Sequence, residues 1–508
     1  MRTAYGVETV RAAERELMAR LPEGALMQRA AAGLAVVCAD VLGRVSGRVY
    51  GSRVVLLVGS GDNGGDALYA GARLARRGAG VRAVLLAPGR AHSGGLAALL
   101  RAGGRVVDAG GGLGAVEQAD LVVDGIVGIG GKGGLRPDAV PLAEAAERGR
   151  GVVVAVDLPS GVDADTGEVR GRALRADLTV TFGAYKPGLL IDPAREYAGA
   201  VRLVDIGLAV GEGGLGEEPV EARVEALQHA DVARLLPVPA AESDKYRRGV
   251  VGVAAGSARY PGAAVLAVAG ALRGGAGAVR YVGPAGEAVI ARHPETLVSD
   301  RGPKHAGRVQ AWVVGPGAGD DAATVGEVLA ADVPVLIDAD GLRLAEVGAV
   351  RGRRAPTLMT PHAGEAAALL GVEREEVEAG RLAAVRELAG RYGATVLLKG
   401  STTLVASAGG GGAGEGAAGV AGGDVGQGAG VVRVNPTGTP WLATAGSGDV
   451  LSGLGGSLLA AGLSAVDAGS VAAYLHGLAG RFAAEGAPVT AEDVAGRIAE
   501  AWRSVVRV

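Results

Sequence analysis

Short apolar runs rich in Val, Leu and Ile alternate along the chain with longer segments of Ala, Arg and Glu at helical spacing. Near-continuous apolar runs bounded by Gly or Pro are typical of parallel strands that helices cover on both faces. In the first half such runs occupy residues 53–59, 81–88, 120–128, 151–161 and 177–183. An amphipathic segment, ETVRAAERELMARL, precedes them. The pattern therefore predicts an α/β domain with a parallel sheet.

A second alternation of the same kind occupies residues 249–257, 278–284, 311–317, 333–342, 357–362 and 394–406. Between the two series, the glycine-rich acidic passage 210–222 has no periodicity and is typical of a linker. We therefore predict one domain over 1–212, a linker over 213–224 and a second domain over 225–508. The low-complexity stretch 407–430 predicts a disordered loop between two hairpin strands.

Composition narrows the class of protein. The chain has 508 residues, of which 49% are apolar, so it can fill more than one core. Its net charge of -3 gives no reason to expect a nucleic-acid partner. The single cysteine, Cys38, excludes an internal disulfide and fits a reducing cytoplasm. The first thirty residues include Glu8, Glu14 and Glu16, unlike a signal peptide, and 450–466 is short for a membrane span. We expect a soluble, cytoplasmic protein that binds no membrane.

The run GSGDNG at 59–64 has the G-x-G-x-x-G spacing of a dinucleotide-binding loop and follows a predicted strand. No Asp or Glu lies between Asp66 and Asp108, so the acid that normally contacts the ribose is missing. Asp62 and Asp66 would also repel a pyrophosphate unless a cation or a proton intervenes. A glycine-rich strand-to-helix turn with no ligand is the alternative.

Other polar residues end the predicted strands, where an open α/β sheet binds its ligands. They are Asp124, Asp157 with Ser160, and Lys186. Lys186 alone is typical of an ordinary strand-end residue, as is Asp177. Carboxylates and amides that converge from several strand ends favour a ligand or a cation.

The motifs GSGDNGGD, DGIVGIGGKG, VDLPSGVDADTG and DLTVTFGAYKPG occur in this order, after VRAAERELMARLPEGALMQRAA. This series resembles the NAD(P)H-hydrate epimerases, which interconvert the R and S forms of NAD(P)H hydrated at C6 of the nicotinamide ring. The resemblance implies a Rossmann-like domain with a K⁺ ion held by Asn63, Asp124 and Ser160. Asp157 is the candidate acid/base, because epimerisation requires proton movement.

The residues that this resemblance assigns to the hydrated nucleotide form two loops and one strand end. They are Asp62, Asn63, Gly64, Gly65, Asp66, Gly128, Ile129, Gly130, Gly131, Lys132, Gly133, Gly134 and Asp157. The chain departs from the family pattern at Asp62, where asparagine is usual, and at Ala67, where glycine is common.

The second half contains ATAGSGDVLSG, in which Gly446, Ser447 and Gly448 precede Asp449 at the predicted start of a helix. Free backbone N–H groups there would bind a phosphoryl group, whereas a carboxylate would repel it. Asp449 is therefore predicted to be a base that deprotonates the hydroxyl meeting the phosphoryl group. This layout resembles ribokinase-like small-molecule kinases; the alternative is a capping Asp on a core helix. No Walker motif occurs.

Further motifs narrow the resemblance to the ADP- or ATP-dependent NAD(P)H-hydrate dehydratases, which are ribokinase-like. They are DKYRRGVVGVAAGSARYPGAAVLA, HPETLV, VVGPGAG, IDADGL, TPHAGEAAAL, LLKGSTTLV and NPTGTPWLATAGSGDVLSG. The resemblance implies that ADP donates the phosphoryl group, with Mg²⁺ bridging the nucleotide phosphates. Loss of phosphate would then restore the dihydronicotinamide.

The implied hydrate-binding positions are Ala263, Gly317, His362, Ala363, Gly364, Glu365 and Asp449. The implied ADP-binding positions are Lys399, Gly400, Ser401, Thr402, Thr403, Thr439, Thr444, Ala445, Gly446, Ser447 and Gly448.

Two alternatives differ in function. A ribokinase-like kinase of a vitamin precursor would share Asp449 and its glycines, but would not explain the N-terminal half. The N-terminal domain could instead be a non-catalytic binding or dimerisation module. The combined resemblance favours a bifunctional enzyme of two doubly wound domains, which we expect to act on small molecules as a homo-oligomer.

Overall fold

The computed structural model describes residues 1–210, 222–409 and 430–507. It divides into two compact units, Thr3–Arg223 and Val224–Val508, with Met1–Arg2 belonging to the second. Residues 213–221 of the predicted linker and 410–429 of the predicted glycine-rich loop lie outside the described residues.

The first unit is a doubly wound α/β fold. Its strands are β2 (Arg53–Val58), β3 (Gly80–Leu85), β4 (Arg105–Val107), β5 (Leu121–Gly125), β6 (Val152–Val156), β7 (Leu178–Phe182) and β8 (Ala200–Val204), while β1 (Arg2–Ala4) belongs to the sheet of the second unit. Its helices are α1 (Val7–Met18), α2 (Ala25–Val45), α3 (Asp62–Arg76), α4 (Ser93–Arg101), α5 (Ala109–Glu117), α6 (Val140–Arg148) and α7 (Ala194–Ala198).

The described strands of this unit form one parallel sheet in the order β4-β3-β2-β5-β6-β7-β8. Side chains of β2 alternate between two cores. Val54, Leu56 and Val58 pack into the core that includes α2 and α3. Val55 and Leu57 pack into the core that includes α5 and α6. This three-layer arrangement agrees with the predicted fold class. The structure adds two edge strands, β4 and β8, that the sequence did not predict. Both contain Arg and are partly exposed, so they lack the apolar pattern of a buried strand.

The second unit contains the remaining elements. Its strands are β9 (Val224–Ala226), β10 (Val250–Ala254), β11 (Ala278–Val282), β12 (Leu297–Ser299), β13 (Ala311–Val314), β14 (Val335–Ile337), β15 (Thr357–Met359), β16 (Thr395–Leu398), β17 (Thr403–Ala406) and β18 (Val432–Asn435). Its helices are α8 (His229–Leu235), α9 (Lys245–Arg248), α10 (Pro261–Arg273), α11 (Gly286–Arg292), α12 (Ala322–Leu329), α13 (Asp340–Leu344), α14 (Val347–Arg351), α15 (Ala363–Leu370), α16 (Arg374–Ala379), α17 (Arg381–Tyr392), α18 (Ser447–Ala460), α19 (Ala465–Ala484) and α20 (Ala491–Val506).

The described strands of the second sheet have the order β1-β9-β18-β17-β16-β15-β14-β13-β10-β11-β12. From β16 to β12 neighbouring strands are parallel, but β16–β17 and β17–β18 are antiparallel. The predicted hairpin strands on either side of the glycine-rich loop are confirmed as β17 and β18. The run 394–406, predicted as one strand of a parallel sheet, instead forms the antiparallel pair β16 and β17. The reason is local: the four residues 399–402 join β16 to β17, and a parallel crossover needs a dozen or more.

Helix α2 has the length and apolar composition of a membrane-crossing helix, with mean hydropathy 1.5 in its most apolar window. Buried core helices satisfy the same criterion, so this is weak evidence for a membrane span. Leu34, Cys38 and Leu42 are fully buried and pack into the core shared with the sheet. The helix therefore fits the role of a core element of the first unit.

Helices α10 and α18 approach closely enough that only glycine fits at Gly453. A Cβ atom added there would lie 1.9 Å from the carbonyl oxygen of Ala267. This contact holds α18 in place, so its N-terminus has a fixed position at the edge of the sheet.

We expect Gly453→Ala to reduce the free energy of unfolding by about 1–3 kcal/mol, because the methyl group overpacks a backbone contact. Gly496→Ala is the matched control: it lies exposed in α20 with no atom within 4 Å of the added Cβ. The control should be stabilised by about 0.5–1 kcal/mol through helix propensity. Urea unfolding of the two variants measures both effects; equal stability of the two would contradict this account of the α10–α18 contact.

Candidate active sites

The carboxyl edge of the first sheet brings Asp124 and Ser160 into direct contact. Asp124 ends β5 and is 0% exposed. Its Oδ1 accepts hydrogen bonds from the Ser160 hydroxyl (2.6 Å) and the Ile126 N–H (3.2 Å), and its Oδ2 accepts one from the Ser160 N–H (2.8 Å). In the described part of the chain these donors are all neutral. Burial raises the pKa of Asp124 to about 6, against these hydrogen bonds, which lower it.

Asn63 lies in the first turn of α3 and reaches the same sheet edge. Its Nδ2 donates to the carbonyl oxygen of Val156, the last residue of β6, at 2.5 Å. A Cβ atom added at Gly128 would lie 2.3 Å from Asn63 Oδ1. Asn63 is therefore packed between β6 and the loop that follows β5, and Gly128 is required for that packing.

Asp157 follows β6 and forms a buried ion pair with Lys186. Lys186 is 1% exposed, and its Nζ lies 2.5 Å from Asp157 Oδ1. The same carboxylate oxygen accepts from the Thr181 hydroxyl (2.9 Å) and the Phe182 N–H (3.3 Å). Asp157 has a φ of 68°, a left-handed conformation that side-chain-bearing residues adopt at an energetic cost. The surrounding contacts thus fix this carboxylate in an unfavourable backbone conformation, as is common at functional sites.

The structure corrects the sequence-based interpretation of Lys186, which we expected to be an ordinary strand-end residue. In the sequence it is 29 positions from Asp157, and no local pattern marks the pairing. A buried lysine is rare unless it is paired. The presence of Lys186 among apolar residues was therefore the one sequence feature that could have indicated an ion pair.

Two further carboxyl groups face Asp157 electrostatically, Glu14 of α1 and Asp66 of α3, and Asp62 of α3 acts on both of them. Burial is the largest cause that raises the pKa of Glu14, and Asp157 is the next. Asp66 is 6% exposed, and its Oδ1 has no hydrogen-bond partner among the described residues. Burial, then Asp157, Asp62 and Glu14, raise its pKa well above the usual range. Sequence reasoning did not find Glu14, because nothing local connects α1 to the sheet edge.

The two predicted nucleotide loops of this unit approach each other where Gly128 meets the Asn63 side chain. Gly64 and Gly65 are buried in the first turn of α3, whereas Lys132 and Gly133 are exposed. Arg11 of α1 approaches the second loop, since a Cβ atom added at Gly130 would lie 2.6 Å from its Nη2. The remaining predicted residues of the second loop, Ile129, Gly131 and Gly134, are partly buried.

In the second unit, α18 begins at the predicted glycine-rich segment. Gly446 precedes the helix with a φ of 88°, and no side chain caps the helix at that residue. The Ser447 hydroxyl donates to the Leu442 carbonyl (2.7 Å) and holds the preceding turn, and the Ser447 N–H donates to the carbonyl of Thr444 (3.3 Å). The first-turn N–H groups of α18 thus resemble an anion site at a helix N-terminus.

Asp449 lies in that first turn and is partly buried. Burial, and then the carboxylate of Asp338, raise its pKa to about 7, against the lowering effect of Lys399. Such a carboxyl group exchanges its proton near neutral pH, which suits a general base.

Asp338 follows β14 and is held from two sides. Lys399 Nζ donates to its Oδ1 (2.8 Å), and the Ser452 hydroxyl of α18 donates to its Oδ2 (2.6 Å). Glu365 lies 3.8 Å from the same Nζ. Burial lowers the pKa of Lys399, but Asp338 and Glu365 outweigh it and raise that pKa. Asp338 belongs to the motif IDADGL, but the sequence alone assigned it no role.

The turn that joins β16 to β17 is fixed by Arg381. Its buried guanidinium donates to the carbonyls of Lys399 (3.0 Å) and Thr402 (3.1 Å). A Cβ atom added at Gly400 would lie 2.3 Å from Arg381 Nη2, so the turn requires glycine there. Ser401 is exposed, Thr402 is buried and Thr403 begins β17.

The predicted hydrate-binding positions occupy two places. His362 is the N-cap of α15 in a capping box with Glu365, in which Glu365 N–H donates to His362 Nδ1 (3.1 Å) and His362 N–H to Glu365 Oε2 (2.8 Å). Gly317 and Ala263 are adjacent, since a Cβ atom added at Gly317 would lie 2.8 Å from that of Ala263. Ala363 and Gly364 begin α15. Thr439, Thr444 and Ala445 lie in the segment that leads into α18.

Comparison with known proteins matches each half of the chain to one family. Residues 23–188 match the family described as YjeF-related protein N-terminus, and residues 251–500 match NAD(P)H-hydrate dehydratase. A Bifunctional NAD(P)H-hydrate repair enzyme from Mycobacterium tuberculosis is 48% identical over 92% of this chain and 91% of its own. The enzyme of the same name from Mycobacterium leprae is 46% identical over 95% of this chain and 94% of its own.

Among solved structures, an ADP/ATP-dependent NAD(P)H-hydrate dehydratase from Bacillus subtilis, co-crystallised with ATP/Mg²⁺, aligns with a TM-score of 0.46. It is 26% identical and covers 55% of this chain and 97% of its own. The identity and coverage of the mycobacterial relatives, together with both domain matches, decide the assignment. The chain belongs to the family of bifunctional NAD(P)H-hydrate repair enzymes, with an epimerase domain followed by a dehydratase domain.

Proposed function

We propose that the two sites divide the repair reaction as follows. The first unit interconverts R- and S-NAD(P)HX with Asp157 as acid/base, and the hydrated nucleotide lies between the loops at 62–66 and 128–134. The support is the fixed Asp157 carboxylate at the sheet edge, with glycines that leave the loop backbones accessible. The second unit dehydrates the S epimer at the expense of ADP.

In the second unit, Asp449 takes the proton of the C6 hydroxyl group. The hydroxyl oxygen then bonds to the terminal phosphorus of ADP, and the bond from that phosphorus to AMP breaks. The first-turn N–H groups of α18 stabilise the charge of the phosphoryl group in transfer. Next the C6–O bond breaks with release of phosphate, and loss of the C5 proton restores the double bond. NAD(P)HX and ADP thus give NAD(P)H, AMP and phosphate.

The observation that supports this most strongly is the placement of Asp449. It lies in the first turn of an uncapped helix, and its pKa of about 7 differs from that of an ordinary surface carboxylate. Lys399 and the turn held by Arg381 supply the neighbouring positions for ADP, and Ala263, Gly317 and the start of α15 those for the hydrate.

The donor set at the first site fits K⁺. Asp124 and Ser160 are bonded to each other, and Asn63 packs beside them at the same sheet edge. The fully buried Asp124 carboxylate receives hydrogen bonds from neutral donors in the described ranges, so a bound cation would compensate its charge. When bound, K⁺ supplies positive charge at this edge, while the protein residues bind and orient the nucleotide.

The second site differs from the first, because Mg²⁺ there would be held mainly by the nucleotide and not by protein side chains. Across residues 1–210, 222–409 and 430–507, no three His, Cys, Asp or Glu side chains are grouped as metal ligands. Asp338 is already engaged by Lys399 and Ser452. Mg²⁺ held mainly by nucleotide phosphates is consistent with this arrangement. We further propose a homo-oligomer located in the cytoplasm.

The pKa of Asp449 predicts the pH dependence of dehydration. A base must be deprotonated to act, so kcat/KM for S-NADHX with ADP should fall as the pH decreases below about 7 and level off above it. Asp449→Asn should lower kcat by about 10²–10⁴-fold and abolish this limb. Full dehydratase activity of the asparagine variant, measured by the return of NADH absorbance, would contradict the role of Asp449. Epimerisation by the same variant controls for folding of the chain.

The K⁺ site predicts that epimerase activity depends on K⁺ and not on Na⁺ at equal ionic strength. Asp124→Asn should remove this dependence, because the charge that K⁺ compensates is gone. Chromatographic separation of the R and S epimers measures the rate in each salt. Dehydration of S-NADHX serves as the control, and equal epimerase rates of the native protein in the two salts would contradict the site.

A further inference from the structure

The first unit places more carboxyl groups together than its cations can balance. Glu14 and Asp66 are each affected electrostatically by Asp157 and by Asp62, and Lys186 is the buried cation beside Asp157. Arg11 also faces Glu14, and the ring of His92 packs against α3 at Gly65. Asp66 and Asp157 are buried and Glu14 is partly buried, so ionising all three beside one buried lysine is unfavourable and a proton is expected on at least one of them.

Lys186 compensates the charge of one of these carboxyl groups directly. It pairs with Asp157, whose Oδ1 also receives hydrogen bonds from Thr181 and Phe182. Asp66 has the opposite environment. It is only 6% exposed, and its Oδ1 has no hydrogen-bond partner among the described residues. Of the two, Asp66 is therefore the group whose surroundings favour the protonated form.

The backbone places these two groups beside each other. Asn63 of α3 donates to the carbonyl of Val156, which directly precedes Asp157. Asp66 lies three residues after Asn63, so it is on the same face of the helix. Asn63 thus directs that face toward the end of β6, and Asp157 is close enough to act electrostatically on Asp66.

We propose that Asp66 is the general acid of epimerisation and that Asp157 is its basic partner. This inference rests on the proposed function of Asp157. Two titratable groups whose surroundings favour opposite protonation states form an acid/base pair. The hydrated nucleotide suits such a pair, because its C6 hydroxyl group lies next to the ring nitrogen.

The reaction balances without an external reagent. Asp66 gives its proton to the C6 hydroxyl oxygen, the C6–O bond breaks and water leaves. The lone pair of the ring nitrogen forms a C=N bond to C6. A water molecule adds to the opposite face of C6 and gives one proton to Asp157, which produces the other epimer. Return of that proton to Asp66 restores the starting state, and the reverse reaction exchanges the two roles.

The test uses Asp66→Asn in the full-length chain. We expect kcat for R-to-S conversion of NADHX to fall by about 100-fold or more, because asparagine cannot transfer a proton. The KM should change by less than about threefold, since the side chain keeps its size. Dehydration of S-NADHX by the same protein reports that the chain is folded. The matched control is Asp138→Asn, which replaces an exposed carboxylate of the first unit and should keep native epimerase activity.

The pH profile separates an acid from a structural residue. In the native protein kcat/KM should decline at high pH as Asp66 loses its proton, because its pKa is raised and its acid form is present only below that pKa. Asp66→Asn should lack this decline, and Asp66→Glu should restore part of it. An unchanged rate and profile in Asp66→Asn would overturn the proposal.

Two controls distinguish this inference from the proposed function. If Asp157→Asn abolishes epimerisation while Asp66→Asn does not, only the role of Asp66 is wrong. If neither variant affects epimerisation, the proposed site itself is wrong. In H₂¹⁸O each inversion should introduce one ¹⁸O at C6, and product without label would overturn the water-loss route.

Discussion

A carboxylate buried at the end of a parallel strand needs compensation, and in each unit one such carboxylate is paired with a lysine. In the first unit Lys186 pairs with Asp157, and in the second Lys399 pairs with Asp338. Burying a charge without a partner costs several kcal/mol, so each lysine is required by the carboxylate that it contacts. Each site also holds further carboxyl groups that its lysine does not pair with, and one of them is largely buried. That group, Asp66 or Asp449, has a raised pKa.

This arrangement connects packing to chemistry. The lysine compensates the carboxylate that it contacts, and burial beside that carboxylate raises the pKa of the second carboxyl group. In the second unit Ser452 ties Asp338 to α18, so the pair and the first turn of that helix are held together. In the first unit Asn63 ties α3 to the end of β6 in the same manner. Each site thus depends on a helix that begins where a strand ends, with a side chain that joins the two.

Close backbone contacts give these helices their positions. Gly453 allows α18 to contact α10, and Gly128 leaves room for Asn63. The turn between β16 and β17 accommodates Arg381 only because residue 400 is glycine. Glycine at these places is required by packing against neighbouring atoms, in addition to any role in contacting phosphate. A composition rich in glycine does not by itself distinguish these positions from exposed ones such as Gly496.

Sequence alone predicted the two α/β units, the strands with buried apolar runs and the family, because local periodicity and motif order carry that information. It also placed Asp124, Asp157, Ser160 and Asp449 at strand or helix ends, since the chain turns beside each of them. Only the tertiary structure showed that Lys186 pairs with Asp157, that Asp338 joins the second site and that Glu14 faces the first. Those contacts join residues far apart in the chain, and their electrostatics depend on burial, which no local pattern specifies.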